Sequence, residues 1–273
     1  MDPVVAFYDA HPINELQIRS ALERAGKNAD ALSPADLYDF DQDHYGGLDA
    51  VAALADGAGI AMGSRVLDVC SGMGGPARFL AERYGAEVVG IDLNDGRVRG
   101  AARLSAMVGL QDRVRFARGD ATALPLPTAS FDAVIAQEAF LHIADKSALF
   151  AECHRVLRPD GRLAFTDWLA GPALTDGDRT RLADGIAAIA IHDADSYRPF
   201  IEAAGFRDVT TQNLSSMWRR ILRERLEMYR SMREDTVAQF GPERHAAYVD
   251  AYAFFVEAIE TDRLGGARWT ARR

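Results

Sequence analysis

From residue 65 onward, short apolar runs alternate with segments whose apolar residues recur every three or four positions. Residues 65–70 (RVLDVC), 87–92, 113–118, 131–137 and 162–168 are short and almost uniformly apolar, and are expected as strands. Residues 76–84, 95–108 and 147–157 carry helical spacing; Pro76 suits a first helical position, and Pro159 and Gly161 end the third helix. Alternation on this scale implies right-handed crossovers and a mainly parallel sheet, and the near-continuous apolar strands imply helices on both faces. The expected class is α/β: a doubly wound, mainly parallel, seven-stranded sheet with its ligand beyond the carboxyl ends of the strands.

The flanks read differently. A helix is expected over residues 13–25, where Leu16, Ile18, Ala21, Leu22 and Ala25 form a stripe that stops at Gly26. A loop through Pro34 to Gly46 and Gly47 leads to a helix over 48–58. After Ala170 come a helix over 193–204 and a sixth strand over 206–212. Two long helical stripes follow, one through Trp218, Leu222, Leu226 and Tyr229, the other through Tyr248, Tyr252, Phe255 and Ile259, before a last strand over 267–271. The expected division is an N-terminal helical cap (1–60), a core (61–213), a helical lid inserted between strands six and seven (214–262) and the final core strand (263–273).

Charge and cysteine content narrow the function. The formal net charge is −9, against the basic face that phosphate contacts to nucleic acid require. The Arg-rich run over 219–233 is interleaved with Glu224 and Glu227 and followed by Glu234, as expected of a solvated face laced with ion pairs. No apolar run is long enough to span a bilayer, and the opening residues lack the basic and apolar regions of a signal peptide, so a cytoplasmic protein acting on neither membrane nor nucleic acid is expected. Cys70 and Cys153 are the two cysteines and are expected as buried thiols; no Cys/His cluster has zinc-site spacing, and no metal is expected.

The segment VLDVCSGMGGPARFL holds the richest chemistry. An apolar strand carries Asp68 near its end, then Gly72, Gly74 and Gly75 let the chain turn sharply, then a helix opens with its free N–H groups aimed at the turn. That arrangement suits a carboxylate or a phosphate, and residues 72–77 also fit the loose dinucleotide pattern G-x-G-x-x-A. Asp92 ends the second strand, where a carboxylate can accept both ribose hydroxyls. Asp120, after the third strand, is placed to accept a bond from an adenine amine. One acid at a strand end is commonly a helix cap, but three in successive strands gather where the parts of a nucleoside would lie.

In this order and spacing the block from Val66 to Trp168 resembles the class I methyltransferases that use S-adenosylmethionine. SGMGGPARFLAERYG, IDLN, AQEAFLHIADK, IHDADSYRPFIEAAGF and the ending GGARWTARR resemble most the sarcosine/dimethylglycine and phosphoethanolamine methyltransferases. The resemblance implies a Rossmann-like core and methylation of a small molecule, with S-adenosylhomocysteine as the spent cofactor. It places Asp68, Gly72 and Gly74 around the methionine half of the cofactor and Asp92 on the ribose. Leu93 would lie against the adenine, Asp120 and Ala121 at the adenine edge, and Gln137 on the sulfonium side. One departure is plain: Cys70 stands where these enzymes carry the first glycine of the turn, so this position must avoid positive φ or bear its cost.

The acceptor implied first is the nitrogen of a small amine or amino acid, with a carbon or oxygen nucleophile of a natural-product pathway as the alternative. An ammonium acceptor must lose a proton, and His142 is the candidate base. In the enzymes it resembles, a histidine at this place pairs with an N-terminal tyrosine; Tyr45 is the first partner to test and Tyr8 the second. Glu138 is expected to hold a substrate ammonium. Arg78 is open between the cofactor carboxylate and Glu82, one turn on; Trp168 and His192 are expected mainly as packing residues. An NAD-dependent oxidoreductase would explain the Gly turn and Asp92, but not Asp68, Asp120 and the Gln137 loop.

Overall fold

In the computed structural model, which describes residues 2–11, 13–28 and 31–273, seven strands form one sheet in the order β3-β2-β1-β4-β5-β7-β6. The strands are β1 (Arg65–Val69), β2 (Glu87–Asp92), β3 (Val114–Arg118), β4 (Phe131–Gln137), β5 (Leu157–Ala170), β6 (Arg207–Asn213) and β7 (Leu264–Arg272). All neighbours are parallel except β7, which runs antiparallel to both β5 and β6. The strand order reverses between β1 and β4, and the crevice opened there at the carboxyl ends is where a doubly wound sheet binds its ligand.

Side-chain alternation along the strands builds two cores. Val66, Val88, Ala133, Ile135 and Ala164 face one side, where α3 (Gly47–Ala58) and α4 (Gly75–Tyr84) cover them with Val51, Leu54, Ala77 and Leu80. Leu67, Val69, Val134 and Phe165 face the other, against α6 (Lys146–Val156) and α8 (Ala194–Ala203) through Leu149, Phe150, Tyr197 and Ile201. A further cluster packs Ile18 and Leu22 of α2 (Glu15–Arg24) on Leu104 of α5 (Asp95–Met107).

Several features differ from the expectation. A helix α1 (Pro3–Asp9) precedes α2; Asp2 caps it by accepting from the backbone N–H groups of Val4 and Val5. Another, α7 (Asp176–Ile186), opens with a capping box in which Thr175 and Asp178 satisfy each other's backbone. And β5 begins at Leu157, before the turn at Pro159 and Gly161 rather than after it, because Phe131 pairs with Leu157 and the register then shifts.

Between β6 and β7 the chain forms α9 (Ser215–Ser231), α10 (Arg233–Phe240) and α11 (Pro242–Glu260). Trp218, Leu222, Phe255 and Ile259 pack there with Trp168. β7 itself starts earlier than expected, and its Gly265 and Gly266 have a steric reason: a Cβ on Gly266 would lie 2.2 Å from Cε3 of Trp218. Among the described residues no helix is long and apolar enough to cross a membrane.

Candidate functional site

One cavity of about 790 Å³ opens over the carboxyl ends of β1, β2 and β4. Its size falls within the range of roughly 300–1,000 Å³ that encloses drug-sized ligands. All the cofactor positions expected from the sequence line it: Asp68, Gly72 and Gly74 at the turn, Asp92 and Leu93 after β2, Asp120 and Ala121 after β3, and Gln137 at the end of β4.

The turn after β1 adopts the backbone its glycines permit. Gly72 and Gly74 have φ of 54° and 78°, and Gly74 caps α4 from the left-handed region. Cys70 shares that region at φ 59°, so it bears the cost that a side chain incurs there. Its thiol borders the cavity, whereas Cys153 is fully buried as expected. Asp92 is held at both oxygens: Oδ2 accepts the Gly72 N–H and Oδ1 the Asn94 N–H, each at 2.9 Å. Each oxygen keeps a lone pair for a ribose hydroxyl. Asp120 takes both of its bonds, from the Thr122 N–H and hydroxyl, on Oδ1.

Several residues of the cavity wall, Ser71 and Arg97 included, carry buried polar atoms with no hydrogen-bond partner among the described residues, and two of them bear on the cofactor. Oδ2 of Asp68 is one, and burial together with the nearby Asp92 charge pushes this carboxyl up to about 8. The amide of Gln137 is the other, orphaned at both Oε1 and Nε2. Buried polar atoms are normally paired, so their presence in a cavity wall fits a bound polar ligand. The donor and acceptor set therefore suits an adenosyl amino acid: a fixed carboxylate for the ribose, backbone N–H groups at a helix start, and unpartnered acceptors beside them.

His142 lies in a short 3-10 turn after β4, and its partner is Tyr8, not Tyr45. Nδ1 is 2.9 Å from the carbonyl of Ala187, which can only accept, so Nδ1 carries the ring proton. Nε2 is then the acceptor for the Tyr8 hydroxyl at 2.9 Å. Burial holds the imidazole down to about 4, so the ring is neutral at neutral pH. Tyr45 borders the cavity elsewhere: its ring packs between Trp168 and Trp218, with the Arg225 guanidinium 4.7 Å from its centroid. The partner is thus the second of the two tyrosines named from the sequence, brought in by α1, a helix that was not expected.

Glu138 also faces the cavity, from a backbone at φ 44°. Oε1 accepts the Thr166 hydroxyl at 2.6 Å and Oε2 the Tyr45 N–H at 2.8 Å, while burial raises the carboxyl to about 7. Arg78 takes neither of the roles left open for it. It is fully buried and donates to Asp41 from Nε and Nη2, at 3.2 and 2.8 Å, and to the Met73 carbonyl. Trp168 packs as expected yet also lines the cavity; His192 packs on Tyr197 and Phe200.

Several lining residues escaped the sequence. Arg225, Tyr229, Tyr248 and Tyr252 form the wall contributed by α9 and α11, with Tyr229 and Tyr252 centroids 4.8 Å apart. Arg225 donates to the His44 carbonyl at 2.8 Å and to the Tyr252 hydroxyl at 3.3 Å. Other arginines of the run do pair with acids on the helix surface, as Arg220 with Glu224 and Arg230 with Glu227. Arg225 stands out because it falls on the helical stripe of Trp218, Leu222 and Tyr229, a signal that charge alternation masked.

A protein-family profile described as a methyltransferase domain matches residues 67–165. Phosphoethanolamine N-methyltransferase 3 of Arabidopsis thaliana is 30% identical over 229 residues, covering 82% of this chain; the chain spans 44% of that protein's length. The 27-O-demethylrifamycin SV methyltransferase of Amycolatopsis mediterranei (strain S699) is 30% identical over 214 residues, 77% of this chain and 78% of that protein. Among solved structures, phosphoethanolamine N-methyltransferase 2 of Haemonchus contortus, in complex with phosphomonomethylethanolamine and S-adenosylhomocysteine, superposes with a TM-score of 0.81 over 99% of this chain and 60% of that one, at 23% identity. Turn, strand-end acids and family match agree: the chain belongs to the class I S-adenosylmethionine-dependent methyltransferases.

Proposed function

We propose that this enzyme methylates the nitrogen of a small amine that also bears an anionic group, such as an amino acid, with Tyr8 and His142 taking up the acceptor's proton. The observation that carries this reading is the Tyr8–His142 hydrogen bond inside the cavity. In support, the Arabidopsis relative is a phosphoethanolamine N-methyltransferase and the Haemonchus structure holds a phosphorylated amine. When bound, S-adenosylmethionine supplies a methyl group on a positively charged sulfur leaving group. We assign Asp92 to the ribose, Leu93, Asp120 and Ala121 to the adenine, and Asp68, Gly72 and Gly74 to the methionine half, with Gln137 toward the sulfonium. The helices α9–α11 are assigned as the lid over the acceptor.

An ammonium has no lone pair, so its proton must leave before the nitrogen can attack. That proton passes to the Tyr8 oxygen as the Tyr8 proton passes to Nε2 of His142, while Nδ1–H stays on the Ala187 carbonyl. Glu138, fixed by Thr166 and the Tyr45 N–H, keeps lone pairs for the remaining ammonium protons. Arg225, flanked by Tyr229 and Tyr252, is the cation for the acceptor's anionic end. The covered cavity aligns the partners and keeps water out, which is most of what a methyl displacement asks of a protein.

The test is an acceptor screen with labelled cofactor that scores S-adenosylhomocysteine release against sarcosine, dimethylglycine, phosphoethanolamine and simple phenols. Turnover with the anionic amines is expected; turnover confined to hydroxyl acceptors would refute the amine assignment. O-methylation is the second reading, favoured by the rifamycin relative and by the apolar part of the wall, Val5, Phe7, Ile186 and Ile189. The same tyrosine–histidine pair can take a hydroxyl proton.

A further inference from the structure

We propose that Arg97 is a positioning residue of the methyl-transfer site, whose guanidinium seats the Tyr8 phenol against His142. The proposal rests on the role given to that pair above. α1 has seven residues and buries none of them. A helix this short does not hold itself together in water, so side-chain tethers decide where it lies. Most of those tethers come from the first turn of α5. Asn94, its cap, donates from Nδ2 to Oδ1 of Asp9 at 2.8 Å and to the Val5 carbonyl at 3.4 Å. Arg97, one turn on, lies over the Tyr8 ring with its guanidinium carbon 4.2 Å from the centroid, and donates to the Ile13 carbonyl at 3.3 Å.

The ring of Tyr8 also touches Phe7 and His11, but these belong to its own segment and move with it. Arg97 and His142 are contacts from the body of the protein. The phenol face is electron-rich and attracts a guanidinium stacked on it. With that face held, the hydroxyl is aimed at Nε2 of His142.

Arg97 is well suited to the task. It is 6% exposed, its Nε has no hydrogen-bond partner among the described residues, and both Nη atoms lie 3.5 Å from Asp43. With its polar bonds few and long, the stack on Tyr8 is a principal contact. Gly72 leaves the space for it: a Cβ there would stand 3.0 Å from Nη1. The residue that opens the turn toward the cofactor thus also leaves room for the arginine that holds Tyr8. Asn94 connects the same turn to Asp92 through its backbone N–H.

The test needs no acceptor. The imidazole nitrogens are followed by 15N NMR at neutral pH, with the His142 signals assigned by His142→Gln. Tyr8→Phe should move the Nε2 resonance toward that of an unbonded ring nitrogen. Arg97→Met should move it in the same direction by at least half as much, with the far-ultraviolet circular dichroism unchanged; Arg97→Lys, which restores a cation, should return it part of the way. If Arg97→Met does not fold, Arg97→Gln takes its place with the same expectation. A wild-type Nε2 position in the folded arginine variant overturns the proposal and leaves the tyrosine–histidine pair intact. No movement in Tyr8→Phe overturns the pair itself.

Discussion

Tyr8 and His142 are 134 residues apart in the chain, and their side chains meet at 2.9 Å. The carbonyl of Ala187 on the other ring nitrogen sets the direction of that bond, because it forces the proton onto Nδ1 and leaves Nε2 to accept. Three separate stretches of chain thus build the proposed proton path.

Removing either end of this path should depress turnover far more than cofactor binding. Tyr8→Phe and His142→Ala are each expected to lower kcat by about 10²–10⁴-fold, the usual worth of a positioned acid–base group, with cofactor affinity within about threefold. Tyr45→Phe should cost much less, since its phenol packs between two tryptophans instead of meeting the imidazole. Steady-state rates on any acceptor that turns over, set beside calorimetric cofactor affinities, decide this; equal losses for Tyr8→Phe and Tyr45→Phe would count against the path.

Asp92→Ala should all but abolish cofactor binding while the fold persists by circular dichroism. The carboxylate is fixed by two backbone N–H groups and has one lone pair per oxygen to give to a ribose. Hydrogen bonds to a charged group are each worth about 1.5–3 kcal/mol, so loss of two predicts an affinity at least about 100-fold weaker by calorimetry. An unchanged dissociation constant would remove the ribose assignment.

Glu138 should make the free protein less stable as pH rises. Burial lifts its folded carboxyl to about 7 from an ordinary value of 4.5, so between these values the folded state keeps a proton that the unfolded chain has lost. Its contribution is therefore fully present below about pH 4.5 and is lost as pH climbs through 7. His44 and His142, both held down to about 4, act in the opposite sense, which is why the variant difference is the useful quantity. The stability of wild type minus Glu138→Gln should fall by on the order of 1–2 kcal/mol from pH 4.5 to 7.5, allowing for water in the cavity. Urea melts at a series of pH values measure it, and a flat difference would show that the carboxyl titrates normally.

Asp41→Ala should destabilise the fold by about 3–5 kcal/mol, the usual result of leaving a buried partner uncompensated. Arg78 is fully buried, and Asp41 is its carboxylate partner, at 2.8 Å. Arg78→Met leaves Asp41 just as buried, but that carboxyl, already raised by burial, can take up a proton, so this variant should cost less in urea unfolding than Asp41→Ala.

Much of the fold could be read from periodicity because strands β1 to β4 and helices α3 to α6 draw on neighbouring residues. The α8 and β6 segments followed the same logic. What escaped had non-local causes. α1 has no buried face to leave an apolar stripe, and the two glycines of β7 look like strand breakers until Ser215 is set against Gly265 and Trp218 against Gly266. Arg78 and Arg225 show the same limit among charges: the sequence offers Arg78 a partner one turn on, Glu82, while the fold gives it Asp41, and Arg225, with no acid three or four residues away, finds the His44 carbonyl.

The gathering of Asp68, Gly72, Gly74, Asp92 and Asp120 in one cavity, the proposed cofactor end, was legible because they sit at or just after strand ends, and a parallel sheet brings successive strand ends to one rim whatever surrounds it. The proposed acceptor end was decided by tertiary structure. Tyr8, Arg97, His142, Arg225 and Tyr252 come from α1, α5, the loop after β4, α9 and α11, and no spacing along the chain encodes how those elements pack. Local backbone geometry carries a fingerprint; side chains brought together from distant elements do not.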